Sequence, residues 1–476
     1  MGELSIFKAN DNLAERMHNE NSHEFRSKFE RDRDRILYSK AFRRLSGKTQ
    51  IFVTGEDDHI RTRLTHTLEV AQIALTISKQ LNLNLPLTEA IAYGHDLGHT
   101  PFGHIGERTL NYIMNGCYSI KNINDSMKEN QSGFKHNWQS LRVVSELELL
   151  NRDYFGLNLT DYTSWGILNH SKQHYKSCKR KNSNDKCNLR LRKKECSFVE
   201  DDSDFKLDFY SRYKKLHHSK SWSIEGLVVK IADEIAQRHH DIEDGIEANI
   251  IDKEELISKF NKAFGDFLTD DEKGFISAIE KEDESEYFIP MLSKLIVNFL
   301  TTQLIDNTKV QLRKMISKYD LKDENDFYHK KEEILNNEKI FNVVNFETDL
   351  IERDKMFQEY LYNRILNSYT TQRMDGKASY IIRQLFKAYI SNPQQLPNST
   401  IDKLFQRLAN KEYENIKEKS DSKTIMIGIL RNKLEELHFR NTTEDYKMLL
   451  LRVICDYISG MTDQYALDQY NQLYES

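Results

Sequence analysis

Five prolines and eighteen glycines are all that interrupt 476 residues. Strand-like alternation is scarce and apolar residues recur at helical spacing, so little in this chain stops a helix once it has begun. Length alone would suggest about three domains at roughly 150 residues each, but the continuity of the pattern argues for one large all-α body. Within it we expect an N-terminal helical segment at 1–60, a central domain at 61–250 with an exposed charged excursion at about 171–222, and a helical C-terminal region at 251–476.

Composition excludes more than it assigns. A net charge of −5 gives no global attraction to nucleic acid or to an anionic membrane. Five cysteines, an odd number in a long chain, fit a reducing cytosol better than a disulfide scaffold. The first eight residues, Met1 to Lys8, hold no apolar run of signal length, and no stretch approaches 18 consecutive apolar residues. The expected location is cytoplasmic, without a membrane partner.

Chemistry concentrates in Gly94-His95-Asp96-Leu97-Gly98-His99-Thr100-Pro101-Phe102-Gly103-His104-Ile105-Gly106-Glu107, which holds three histidines, an aspartate and a glutamate. Burying such groups unpaired would cost several kcal/mol, so they ask for one another or for a ligand. The adjacent nitrogen and oxygen donors of His95 and Asp96 suit Mn, Fe, Zn or Mg better than a thiolate site would. Two neighbours cannot close a metal site, and further donors have to come from elsewhere. His66 opens a run in which Val70, Ile73 and Ile77 follow on one helical face, a position where a satisfied core histidine is the commoner outcome. Asp233 follows Val229 by one turn in a second apolar helix, where a lone aspartate is usually a solvated charge. Together His66, His95, Asp96 and Asp233 form a set of two histidines and two carboxylates drawn from three helices.

Around that cluster, Thr88 is a plausible N-cap for the helix carrying His95 and Asp96 near its C-terminal end, and Gly98 and Pro101 then break it. Residues past the break can fold back, which makes His99 and His104 a second layer. Glu107 lies three residues after His104 on the same helical face, where a carboxylate can set the tautomer of the imidazole. Arg63, three residues before His66, is placed either for a phosphate beside the metal or for a surface salt bridge. The charged residues from 8 to 35 read as a solvated amphipathic helix that continues inward and delivers Gln50 to a buried edge.

The order His, His-Asp, Asp is where a family comes into view. Its surroundings carry the specificity: Arg-Arg-Leu-Ser-Gly-Lys-Thr-Gln-Ile-Phe (43–52), Arg-Leu-Thr-His (63–66), the stretch 94–107, Gly-Phe-Lys-His-Asn-Trp-Gln-Ser-Leu-Arg (133–142), Ala-Asp-Glu-Ile-Ala (232–236) and Asp-Tyr-Ile-Ser-Gly-Met-Thr-Asp-Gln-Tyr-Ala (456–466). With these motifs in order over nearly its whole length, the chain resembles the HD-domain metal-dependent phosphohydrolases, and more closely the dGTPase-like deoxynucleoside triphosphate triphosphohydrolases.

The resemblance implies a divalent metal ion (Mg, Mn, Fe or Zn) on His66, His95, Asp96 and Asp233. It implies catalytic roles around the α-phosphorus for His104, Glu107, His99 and His136, with Arg63 on the phosphates and Gln50 and Asp241 on the sugar 3'-hydroxyl. The implied reaction releases a deoxynucleoside and inorganic triphosphate from a dNTP, with a dNTP also as allosteric activator and a homo-oligomer, hexamer or tetramer, as the assembly. One departure stands out: many relatives carry Tyr where this chain has Gln237, which removes an aromatic face from the sugar. Residues 373–397 resemble the family's C-terminal part, which helps to build the nucleotide pocket and subunit contacts.

The excursion is basic from Lys176 to Cys196 and then acidic from Glu200 to Asp204. Cys178, Cys187 and Cys196, with His170 and His174 upstream, lack the close cysteine pair of a structural zinc site. The basic run is the candidate contact for single-stranded DNA, although without interleaved aromatics it reads as a solvated loop. Two other functions fit the metal set: hydrolysis of nucleoside monophosphates or cyclic nucleotides, and a catalytically silent nucleotide or single-stranded nucleic-acid binding protein.

Overall fold

The structure, a computed structural model, describes residues 3–50, 61–115, 117, 133–172, 213, 216, 220–281, 285–408, 411–420, 422–439 and 444–475. Most of the charged excursion, with His174, Cys178, Cys187 and Cys196, lies outside the described residues. As expected, the fold is all-α: no strand occurs among the described residues, only isolated bridges such as Thr49 with Thr62.

The N-terminal helices are α1 (Lys28–Leu37) and α2 (Lys40–Arg44). Ser27 and Glu30 close a capping box on α1, and Ser39 caps α2, so the single long helix expected from residue 8 starts only at Lys28 and is broken at Tyr38. Next come α3 (Arg63–Gln80), α4 (Leu85–Gly94), α5 (Gly103–Met114), α6 (His136–Arg142), α7 (Asp161–Asn169) and α8 (Ile224–Glu247). The apolar stripes of α3, α4 and α8 meet in one core that includes Val70, Ile77, Ile91, Leu227, Val228 and Ile235, all buried. That packing brings His66 on α3 and Asp233 on α8 towards the end of α4.

The C-terminal half adds α9 (Lys253–Phe264), α10 (Asp270–Glu280), α11 (Ser285–Tyr319), α12 (Glu324–Asn337) and α13 (Thr348–Leu366). It continues with α14 (Tyr369–Ser391), α15 (Asn398–Arg407), α16 (Lys411–Lys419), α17 (Lys423–Phe439), α18 (Glu444–Ser459) and α19 (Asp463–Tyr474). Part of α11, Tyr287–Tyr319, is long and apolar enough to cross a membrane by length and composition, but half of its most apolar window is buried inside the protein. Helices α14 and α18 pack against α5 around Phe386, Leu385, Ile454 and Ile458, which carries the C-terminal region up to the helix that bears His104 and Glu107.

One side chain of that region pins two segments at once. Asp463, in the first turn of α19, accepts hydrogen bonds from Thr49 N and Oγ1 and from Phe102 N. Phe102 sits in the left-handed region (φ 62°), a conformation that costs a bulky residue on the order of 1 kcal/mol and persists because its surroundings hold it.

Candidate active site

The helix α4 begins one residue after Asn84, whose side chain accepts from Leu87 N, with Pro86 in its first turn. Asn84, not Thr88, is therefore the cap; Thr88 lies inside the helix and donates its hydroxyl to Asn84 O. The helix ends at Gly94, so His95 and Asp96 stand on the tight turn just beyond it. Gly98 lets that turn lie directly on α6: its N–H donates to Ser140 Oγ at 2.8 Å, and Ser140 Oγ donates to His95 O at 2.6 Å.

Four expected donors converge here. His66 Nε2 is 3.0 Å from Asp233 Oδ1 and 3.9 Å from Asp96 Oδ2, while His95 Nε2 is 3.4 Å from Asp96 Oδ1 and 3.8 Å from Asp233 Oδ1. Edges of this size match ligands about 2.1 Å from one shared cation, which place neighbouring donors about 3 Å apart.

The tautomers agree. His95 donates Nδ1–H to Ala92 O at 2.6 Å, leaving Nε2 as a buried lone pair with no partner. His240 Nε2 donates to Glu69, so its Nδ1 accepts from His66 Nδ1 at 3.3 Å and the lone pair of His66 Nε2 points at the same place. Burial alone would raise the Asp96 carboxyl. The imidazoles of His99 and His95 with the Arg63 guanidinium hold Asp96 well below the usual range. The residues present thus fit a divalent cation.

Glu69 and His240 were not foreseen from the sequence. The spacing of Glu69 three residues after His66 was visible, but nothing in one dimension says that His240 on α8 faces them. Their chain to His66 predicts that His240→Gln, and equally Glu69→Gln, weakens binding of Mn(II) by on the order of 10- to 100-fold, measured by competition with a fluorescent chelator. An unchanged affinity in both variants would leave the pair without a role at the metal.

The second layer forms around Glu107. Its carboxylate accepts from His136 Nδ1 at 2.9 Å and lies 3.5 Å from His104 Nδ1. Burial pushes this carboxyl up, but His136, His104 and Lys135 outweigh it and keep it ionised. His99 links the layers: Nε2 is 3.1 Å from Asp96 Oδ1, and its ring stacks on His136 at 4.0 Å between centroids. His170, considered earlier only as a zinc ligand, belongs to this cluster instead, with Nε2 3.2 Å from His136 Nε2. Burial, reinforced by His95 and His136, drives its imidazole down to about 3, so it stays neutral. Unlike its neighbours, His104 turns outward, its side chain 62% exposed.

Arg63 makes no surface salt bridge. It is buried and donates Nη1 to Asp96 Oδ2 at 2.7 Å, with Nε and Nη2 left without partners. Gln50 is buried and donates Nε2 to Gln237 Oε1 at 3.2 Å, while Gln237 donates Nε2 to Asp241 Oδ1 at 2.6 Å. Gln237 thus bridges the two expected sugar contacts. Burial lifts the Asp241 carboxyl to about 6 despite Gln237, Arg238 and Arg61.

The HD domain family matches residues 63–259, and the phosphohydrolase-associated domain matches 344–415 and 430–472. A deoxyguanosinetriphosphate triphosphohydrolase-like protein of Geobacter metallireducens is 32% identical over 463 residues, covering 97% of this chain and 92% of its own length. Proteins of the same description from Rickettsia felis (32% over 462 residues, 96% and 94% covered) and Bordetella pertussis (30% over 478 residues, 100% and 97% covered) are similarly related. The chain therefore belongs to the HD-domain family of deoxyguanosinetriphosphate triphosphohydrolase-like proteins, and it is a phosphohydrolase with side chains arranged to hold a divalent metal.

Proposed function

We propose that this protein hydrolyses deoxynucleoside triphosphates at the α-phosphorus, releasing a deoxynucleoside and inorganic triphosphate. The observation that carries the reading is the junction of two groups through His99: the donor set His66, His95, Asp96 and Asp233 on one side, and Glu107 with His136 and His104 on the other. A divalent ion held by the first group would polarise a phosphate oxygen and acidify a water.

The chain's own groups account for the rest. Glu107 orients His104 through Nδ1, leaving Nε2 to give or take the proton at the reacting phosphate. Arg63 offers Nε and Nη2 to phosphate oxygens, and His99 and His136 offset charge beside them. Gln50 and Asp241 take the sugar 3'-hydroxyl, with Gln237 holding both in register. Hydrolysis of a monophosphate or cyclic nucleotide leaves the Glu107 group without a task, which favours the triphosphate.

The test incubates the protein with each of the four dNTPs, singly and mixed, with Mg or Mn, and separates products by anion exchange. Triphosphate with deoxynucleoside supports the reading, and turnover only in mixtures adds an activating nucleotide. Monophosphate with pyrophosphate, or no turnover in any mixture, would sink it.

Asp241 adds a pH signature. Its carboxylate accepts a hydroxyl hydrogen bond best when ionised, and burial raises its pKa to about 6. KM for the dNTP is therefore expected to fall as pH rises through about 6, and Asp241→Asn to flatten that step. A step that persists in the variant assigns it to another group.

A further inference from the structure

His136 is hydrogen-bonded at both ring nitrogens, and its two partners fix where the protons are. Nδ1 lies 2.9 Å from Glu107 Oε2. Burial pushes that carboxyl up, but His136, His104 and Lys135 keep it ionised, so it accepts and His136 Nδ1 donates. On the other side, Nε2 lies 3.2 Å from His170 Nε2. His170 stands just past α7 with its Nδ1 2.7 Å from Ile167 O, and a carbonyl oxygen has no proton to give. His170 Nδ1 therefore carries the hydrogen. Burial keeps this ring neutral, so its Nε2 is a bare lone pair aimed at His136.

Two lone pairs facing each other across 3.2 Å would repel. His136 Nε2 therefore carries a hydrogen as well as Nδ1, which makes the ring an imidazolium ion. Its surroundings suit one. Glu107 supplies a buried counter-charge from α5, and His99 lies parallel to the ring at 4.0 Å between centroids and 16° between planes. Burial and the Arg63 guanidinium keep His99 neutral, so it adds no like charge. The amino end of α6, where His136 stands, opposes a positive charge by less than the buried carboxylate favours it. A metal ion shared by His136 and His170 would need an anionic donor, and the carboxylate within reach is Asp96. Both of its oxygens are engaged, Oδ2 by Arg63 Nη1 at 2.7 Å and Oδ1 by His99 Nε2 at 3.1 Å. A proton needs no such donor.

We propose that His170 is a positioning residue whose Nε2 lone pair holds the second proton on His136, making His136 a fixed positive charge that takes no part in proton transfer. Both of its N–H groups are spent, one on Glu107 and one on His170. The proton that moves then belongs to His104, which shares Glu107 and turns outward. The division of labour in turnover rests on the α-phosphorus reaction proposed above; the protonation of His136 does not.

The test is ¹⁵N NMR of the full chain with ring-labelled histidine and Mg(II) present, near neutral pH. His136→Gln, run alongside, identifies the His136 signals among the 16 histidines. Wild type is expected to show both His136 nitrogens as N–H. His170→Phe, which has no acceptor, is expected to convert one of them to a bare nitrogen, and His170→Gln, whose amide oxygen accepts, to restore the N–H. A bare nitrogen on His136 in wild type overturns the proposal, as does a His136 spectrum that His170→Phe leaves unchanged. A second cation per chain, counted by mass spectrometry and removed by His170→Phe, also overturns it, because a metal then occupies the place of the proton. Turnover of dNTPs is expected to fall about tenfold in His170→Phe and to recover in His170→Gln. Equal losses in the two variants make His170 a packing residue and overturn its positioning role. If His170→Phe does not fold, His170→Leu takes its place. The spectra need no substrate, so their outcome is separate from whether dNTPs are hydrolysed.

Discussion

Asp96→Asn is expected to lower phosphohydrolase turnover by on the order of 10³-fold or more while leaving the helices in place. The amide has the shape of the carboxylate but not its charge. In the native site that charge lies 2.7 Å from Arg63 Nη1, 3.1 Å from His99 Nε2 and 3.4 Å from His95 Nε2, all buried. Neutralising it removes one anionic donor and leaves the Arg63 guanidinium buried without a counter-charge, which also costs stability. The sign with pH follows: a carboxyl held below its unfolded value contributes stability that is present above the unfolded pKa and lost as pH falls through the folded one. Bound metal by mass spectrometry and turnover are the two readouts. A variant that keeps its metal and a tenth of wild-type activity would remove Asp96 from the centre of the chemistry.

Gly98→Ala is expected to be among the most damaging single methyls. A Cβ on Gly98 would stand 2.1 Å from Ser140 N and 2.4 Å from His136 O, both backbone atoms of a helix that cannot swing aside. The turn or α6 has to move, breaking the hydrogen bonds through Ser140 Oγ that fix Gly98 N and His95 O. We expect a loss of about 3 kcal/mol in urea unfolding and, because His99 and His136 separate with the two elements, a fall in kcat of on the order of 10²-fold. Wild-type stability in this variant would mean that the turn is not held against α6.

The helices were legible because their apolar spacing and scarce breakers repeat over long stretches, and the histidine-rich turn was legible because its composition is unusual wherever it folds. Boundaries were harder. Both Asn84 and Thr88 are good caps in isolation, and the choice between them fell to Asn84, which reaches Leu87 N from outside the helix. A long N-terminal helix was expected where Ser39 starts a new one. For Arg63 a surface ion pair was the alternative to the phosphate contact that the resemblance favours, and only the packing of α3 against the turn buries it on Asp96.

What residue order determined by itself was which groups could share a face: His66 with Glu69, His104 with Glu107, Asp233 with Gln237 and Asp241, because 3.6 residues per turn is a property of the local backbone. Which faces then meet was decided by tertiary structure. His240 lies against His66, His170 against His136, and Gln237 between Gln50 and Asp241 across separations of 174, 34 and 187 residues. Such contacts form only when buried apolar stripes dock whole helices, and the energy that docks them resides in side chains such as Val70, Ile77, Leu227 and Val228 that take no part in the chemistry.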